Sequence, residues 1–88
     1  MELTKAIHIL LGNFPESGIF RGFELYDKFV FTIYPMEYDP DAIYLDCVFS
    51  VDKTDEVISL YRPTADVVKN LLDNEVTIPA QYKAKPKE

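Results

Sequence analysis

One cysteine, one histidine and three glycines limit what this chain can do before any pattern in it is read. A lone Cys47 closes no internal disulfide, and with no leader-like segment the expected compartment is a reducing cytoplasm. Cys47 and His8 fall short of the ligand set of a structural zinc site. They are also the sole Cys–His pair for nucleophilic chemistry, and Cys47 falls in the inward set of an expected strand, where a thiol acts as a small hydrophobe. Ser17, Ser50 and Ser59 lack the G-x-S-x-G setting of an activated serine. Gly12, Gly18 and Gly22 fit neither a Walker nor a dinucleotide-binding spacing. No run nears the ~18 apolar residues of a membrane span. The apolar stretch 6–11 is short and interrupted by His8, so it is read as a core helix. Asp39-x-Asp41 opens like a calcium loop, but Ile43 and Tyr44 stand where a ligand and a glycine are needed. Carboxylates are plentiful, yet 88 residues leave little cleft for a catalytic pair to flank. The expectation is a protein that is not an enzyme, with no cofactor and no metal.

What the chain does hold is apolar surface and negative charge. Hydrophobic residues at 48% and aromatics at 14% supply a core and exclude a disordered chain. The length fits one domain, since chains divide at about 100 to 200 residues each. The net charge is −6, but residues 1–82 alone hold fourteen acids and six bases, a balance of −8. A body this acidic repels phosphate backbones, so direct nucleic-acid binding is not expected, and the lack of a long apolar run gives no expectation of a membrane partner. Lys83, Lys85 and Lys87 crowd the last six residues. The expected organisation is one α+β domain over 1–80 and a flexible basic tail over 81–88.

Periodicity supplies the elements. Leu3, Ala6, Ile7, Leu10 and Leu11 follow helical spacing over 3–11, stopped by Gly12-Asn13 and Pro15, with Phe14 placed to fold back. Residues 19–25 and 29–34 flank Tyr26-Asp27-Lys28 as a hairpin. Ile19, Phe23 and Leu25 share a face with Arg21 in that reading, and Gly22 marks a bulge or a close backbone approach. Residues 36–41 form an acidic loop. Ile43, Leu45, Cys47, Phe49 and Val51 alternate strictly, predicting a strand over 42–51 that pairs with 57–62. A four-residue turn, Asp52 to Asp55, puts Ile58 and Leu60 on the face of Cys47 and Phe49. A three-residue turn instead puts Asp55 in the left-handed conformation and Asp46 opposite Arg62. Thr64 is the expected N-cap of a last helix carrying Val67, Val68, Leu71 and Leu72, with Asp66 in its first turn. Val76-Thr77-Ile78 is too short to assign, and Pro79 keeps it from a central position. The predicted fold is α+β, an antiparallel four-stranded β-meander with an N-terminal and a C-terminal helix on one face (αββββα).

The segments "ILLGNFP", "GFELYDKFVFTIYP" and "VFSVDKTDEVISLYRP", followed by a short acidic helix, resemble small uncharacterised α+β proteins common in phages and prophages of bacteria. Those proteins often carry a Val-Asp-Lys turn with a Gly near its end. Val51-Asp52-Lys53-Thr54 matches, and Asp55 stands where the Gly is usual. The resemblance implies the fold and a genomic origin, and it carries no catalytic residue.

The segment 37–46 holds four acids and two tyrosines, and it is the candidate site. Glu37, Tyr38, Asp39, Asp41, Tyr44 and Asp46 are the expected partner-binding residues: tyrosines supply contact area and acids steer a basic partner. The plainer account is a polar loop with Tyr44 packed on the sheet. The function expected is a small acidic protein-binding module, in its sharpest form a phage-type inhibitor occupying a basic surface of a host or defence protein. The alternative is a homodimeric, structural or small-ligand-binding domain using an outer sheet face of Tyr34, Tyr44, Val48 and Tyr61.

Overall fold

The computed structural model describes residues 1–45 and 47–87. Helix α1 (Leu3–Asn13) is followed by strands β1 (Ser17–Glu24), β2 (Lys28–Pro35), β3 (Glu37–Tyr38), β4 (Val48–Asp52) and β5 (Ile58–Leu60). Helix α2 (Ala65–Leu72), strand β6 (Glu75–Val76), a short 3-10 turn (Ala80–Tyr82) and strand β7 (Lys85–Pro86) complete the chain. The fold is α+β, with a five-stranded antiparallel sheet ordered β5-β4-β2-β1-β6 and a separate parallel pair of β3 with β7. The expected four-stranded meander is therefore corrected. Glu75–Val76 adds a fifth strand at the edge beside Gly22 and Phe23, the position Pro79 allows. No helix among the described residues is long and apolar enough to cross a membrane.

The two helices also lie on opposite faces rather than one. Alternation along β2 sends Phe29, Phe31 and Ile33 to one side and Val30 to the other. Ala6, Ile7 and Leu10 of α1 close the first side together with Ile19, Val51 and Ile78. Leu71 of α2, with Val67 and Tyr61 beside it, closes the second over Phe23 and Val30. Side chains as large as Phe31, Ile7 and Leu10 are completely removed from water on the α1 side. Each such burial is worth about 1.5 to 3 kcal/mol. Phe14, expected to fold back onto the helix, sets its ring 4.9 Å from that of Phe49 in β4.

The register of β1 breaks between Ile19 and Arg21, so the bulge sits at Phe20 and not at Gly22. An extra residue rotates the strand by one position. Ile19 thus joins the α1 side, while Arg21, Phe23 and Leu25 belong to the α2 side, against the shared face expected for them. Gly22 is instead a close approach: a Cβ there would stand 2.6 Å from Ile78 Cδ1 and 3.1 Å from Phe31 Cδ1.

The strand expected over 42–51 starts only at Val48. Ile43 and Leu45, read as inward, are 86% and 81% exposed. Tyr44 folds back onto the ring of Tyr34 and takes a hydrogen bond from the Asp39 amide, which pulls 42–45 away from the sheet. The alternation is real, but the ring contact and the turn outcompete it. Ile58 and Leu60 do share the face of Phe49 and Val51, with pairs Val51↔Ile58 and Phe49↔Leu60. These pairs lie two residues further along than a turn of Asp52 to Asp55 implies. The left-handed residue is Glu56, at φ 62°, rather than Asp55. Asp46, the proposed neighbour of Arg62, lies outside the described residues.

Residues 83–87, expected as a tail, run beside two strands. Lys83 bridges Ile19, the Ala84 amide donates to Ile19 O, and the Lys85 and Lys87 amides donate to Met36 O and Tyr38 O. Ala84 is buried there, and Gly18 makes room for it, since a Cβ would stand 2.8 Å from Ala84 N.

Candidate functional site

The α2 side of the sheet is only partly covered, because α2 has eight residues and spans one end. At the other end the sheet presents Tyr34, and the bulge turns Phe20 onto the same surface, where the two rings stack with centroids 4.4 Å apart. The segment after β2 doubles back over them. Tyr38 stands edge-on to both, 5.0 Å from Tyr34 and 5.8 Å from Phe20. Tyr44 lies against Tyr34 at 4.9 Å. Such offset and edge-on pairs satisfy the ring quadrupoles. Burial pushes the Tyr34 hydroxyl above its ordinary value, with the neighbouring Cys47, Tyr38 and Tyr44 acting in the same direction.

The turn that brings Tyr44 back is built by polar contacts. The Asp41 amide donates to Asp39 Oδ1 at 2.9 Å, and the Asp39 amide donates to the Tyr44 hydroxyl at 2.9 Å. An aspartate holding its own backbone two residues on is the usual device of such a turn. Phe20, Tyr34, Tyr38, Asp39, Pro40, Ala42 and Tyr44 together enclose an open cavity of about 240 Å³. A second hollow of about 310 Å³ shares Phe20 and Tyr34 with it and runs to Val68 and Leu72 of α2.

The six expected site residues therefore divide. Tyr38, Asp39 and Tyr44 line one cavity, and Asp41 is bonded to that turn. Glu37 goes elsewhere: it pairs with Lys85 across β3 and β7 and lines a larger hollow with Lys83, Lys85 and Lys87. Asp46 lies outside the described residues. Other acids of the chain are held by cations. Glu24 meets Lys53 at 2.8 Å, Glu56 meets Lys5 at 2.7 Å, and Glu75 takes a two-pronged bond from Arg21 at 2.6 and 2.9 Å. That fork holds Glu75 below the ordinary carboxylate range and Arg21 above its own. The Thr54 and Asp55 amides likewise hold Asp52 low.

Phe20 is the contributor that sequence reasoning missed. In a regular strand it faces away from Arg21, and only the bulge brings the two together. Among the described residues no group of three or more His, Cys, Asp or Glu is placed to hold a metal ion. The cavity presents ring faces, the Asp39 carboxylate and the Tyr44 hydroxyl. Comparison with known proteins produced no match to a family model, a curated protein or a solved structure.

Proposed function

We propose that this chain is a small non-catalytic protein-binding module that engages a partner's basic surface through Tyr38, Asp39, Asp41 and Tyr44, together with Tyr34 and Phe20. The observation that carries this reading is the cluster of four rings left open to solvent beside the exposed carboxylates of Asp39 and Asp41. Rings arranged on a sheet lose little entropy on binding, and flanking acids favour basic partners and speed their approach. The phage resemblance suggests the biological form: an inhibitor acting in the cytoplasm on a basic surface of a host or defence protein. Because Glu37 sits among lysines, the acids that serve this role are Asp39 and Asp41, backed by rings, rather than one broad negative face.

The test is a pull-down from bacterial lysate with wild type, Asp39→Lys/Asp41→Lys and Tyr38→Ala/Tyr44→Ala proteins, eluted on a salt gradient. The expected result is a basic partner held by wild type, released as salt rises, and lost by both variants. Recovery of the same proteins by all three would defeat the reading.

A second reading has one observation in its favour. Val68 and Leu72 are 39% and 48% exposed beside the hollow that reaches Phe20 and Tyr34, an apolar surface suited to a second copy or a small ligand. Sedimentation separates the two, since apolar self-association holds or strengthens in salt while steered acidic binding weakens.

A further inference from the structure

The cavity walled by Phe20, Tyr34, Tyr38 and Tyr44 is selective in its chemistry, and its walls and rim point to one kind of occupant. Aromatic faces carry negative charge density and attract a cation placed over them. Tyr38 stands at 86° to Phe20 and 65° to Tyr34, whereas Phe20 and Tyr34 lie 24° apart, so Tyr38 forms a steep wall beside a stacked pair of rings. The charged side chain on the rim is a carboxylate, that of Asp39, and Asp41 follows it on the same turn. The Asp39 backbone is fixed by the Tyr44 hydroxyl and its carboxylate by the Asp41 amide, so the acid is held in place before any ligand arrives.

The rest of the molecule shows the same chemistry satisfied internally. Arg21 lies 5.5 Å over the Phe23 ring, Lys28 lies 5.9 Å over Tyr61, and Lys53 lies 4.9 Å over Phe29. Arg21, which borders the adjoining hollow, is already engaged by both oxygens of Glu75. An apolar side chain from a partner would find better company in that adjoining hollow, lined by Val48, Val68 and Leu72, than beside a fixed carboxylate.

We propose that the cavity of Phe20, Tyr34, Tyr38, Tyr44 and Asp39 is a receptor for an arginine side chain of the partner. The planar guanidinium stacks on a ring, and its fork of N–H donors reaches the Asp39 carboxylate. Arginine is chosen over lysine because it is the flat, weakly hydrated cation that gives up water readily and can use a ring face and a carboxylate at once. This inference rests on the reading of the chain as a binder of basic partners and names the group that is bound.

The experiment titrates the full chain with Nα-acetyl-arginine methylamide while following the ring resonances of Tyr34, Tyr38 and Tyr44 by NMR. Parallel titrations use the corresponding citrulline and lysine derivatives. Citrulline keeps the shape of arginine and lacks its charge. Saturable shifts at these three rings with arginine, and weaker ones with lysine and citrulline by at least about fivefold, are the expected result. Asp39→Asn keeps the acceptor for the Asp41 amide and removes the charge, so it should weaken arginine binding while the Phe29 and Phe31 resonances stay in place. Equal binding of citrulline, tighter binding of lysine, or no shift at the rings would each overturn the proposal. Because the probe needs no partner protein, the two readings fail separately. A captured partner that depends on Asp39 and Asp41, with no arginine shift, defeats the receptor alone. Arginine shifts with capture unchanged by charge reversal defeat the partner reading alone.

Discussion

The two faces of the central sheet come from the same strands and are finished in different ways. On the α1 side an eleven-residue helix lays Ala6, Ile7 and Leu10 over Ile19, Phe31 and Val51, and all six are at 0% exposure. On the other side an eight-residue helix covers one end, with Leu71 at 5% but Leu72 at 48%. The rest is roofed by a loop whose tyrosines touch the sheet and still border water. Closure on one face supplies stability. Incomplete closure on the other leaves ring faces bordering water. In a domain this small, which buries only about 60% of its unfolded surface, a well-sealed side is what permits an open one.

The comparison breaks most directly at Phe31. Phe31→Ala should lower the unfolding free energy by about 3 to 5 kcal/mol in urea titration, because the α1 side cannot collapse into the cavity left. A loss below about 1 kcal/mol, the usual cost of a typical single substitution, would deny that this face carries the stability. Gly22→Ala comes next. Its new methyl would press on Ile78 and Phe31, and overpacking of that kind costs about 1 to 3 kcal/mol in the same measurement.

Tyr38→Ala sharpens the contrast from the open side. It should cost about 1 kcal/mol, the scale of its ring contacts, while abolishing retention of a basic partner. A large stability loss with binding intact would reverse the assignment of the two faces. Glu56→Gly should act in the opposite direction, gaining up to about 1 kcal/mol by relieving a left-handed residue that glycine adopts freely. Loss of the Lys5 contact opposes that gain, and a net loss of stability would show the ion pair to matter more than the backbone.

The smallest effect is in acid. Asp52 and Glu75 are both held below their ordinary values in the folded chain, so the unfolded chain binds more protons as pH falls. Their contribution is complete above the ordinary carboxylate value of about 4 and drains away as pH drops through the lower folded values. Asp52→Asn should flatten that acid limb of the stability curve, most visibly at low salt because the group is exposed. An unchanged limb would show that the amide contacts of the turn contribute nothing.

Much of this was legible before the structure. The helix of Leu3, Ala6, Ile7 and Leu10, the hairpin around Asp27, and the shared face of Ile58, Leu60 and Phe49 follow from local spacing, which a chain cannot easily disobey while hiding those residues from water. The segment 42–45 misled for a physical reason. Its alternation satisfies a strand equally well, and what displaced it was the packing of Tyr44 on Tyr34, a contact that spacing does not encode. The site was half legible on the same grounds. Tyr38, Asp39, Asp41 and Tyr44 were visible as a loop rich in acids and rings, whereas Phe20 joined them only through a bulge and Glu37 left them for Lys85.

By itself the sequence determined the α+β class, the acidic body, and which short runs become helices and hairpins, because those depend on composition and on neighbours a few residues away. The tertiary structure decided which face each helix covers, where the register slips, and that Lys83 to Lys87 runs beside β1 and β3. Those outcomes turn on contacts between residues far apart in the chain, such as Gly18 with Ala84 and Gly22 with Ile78, where one added methyl group would close the space that the partner now fills.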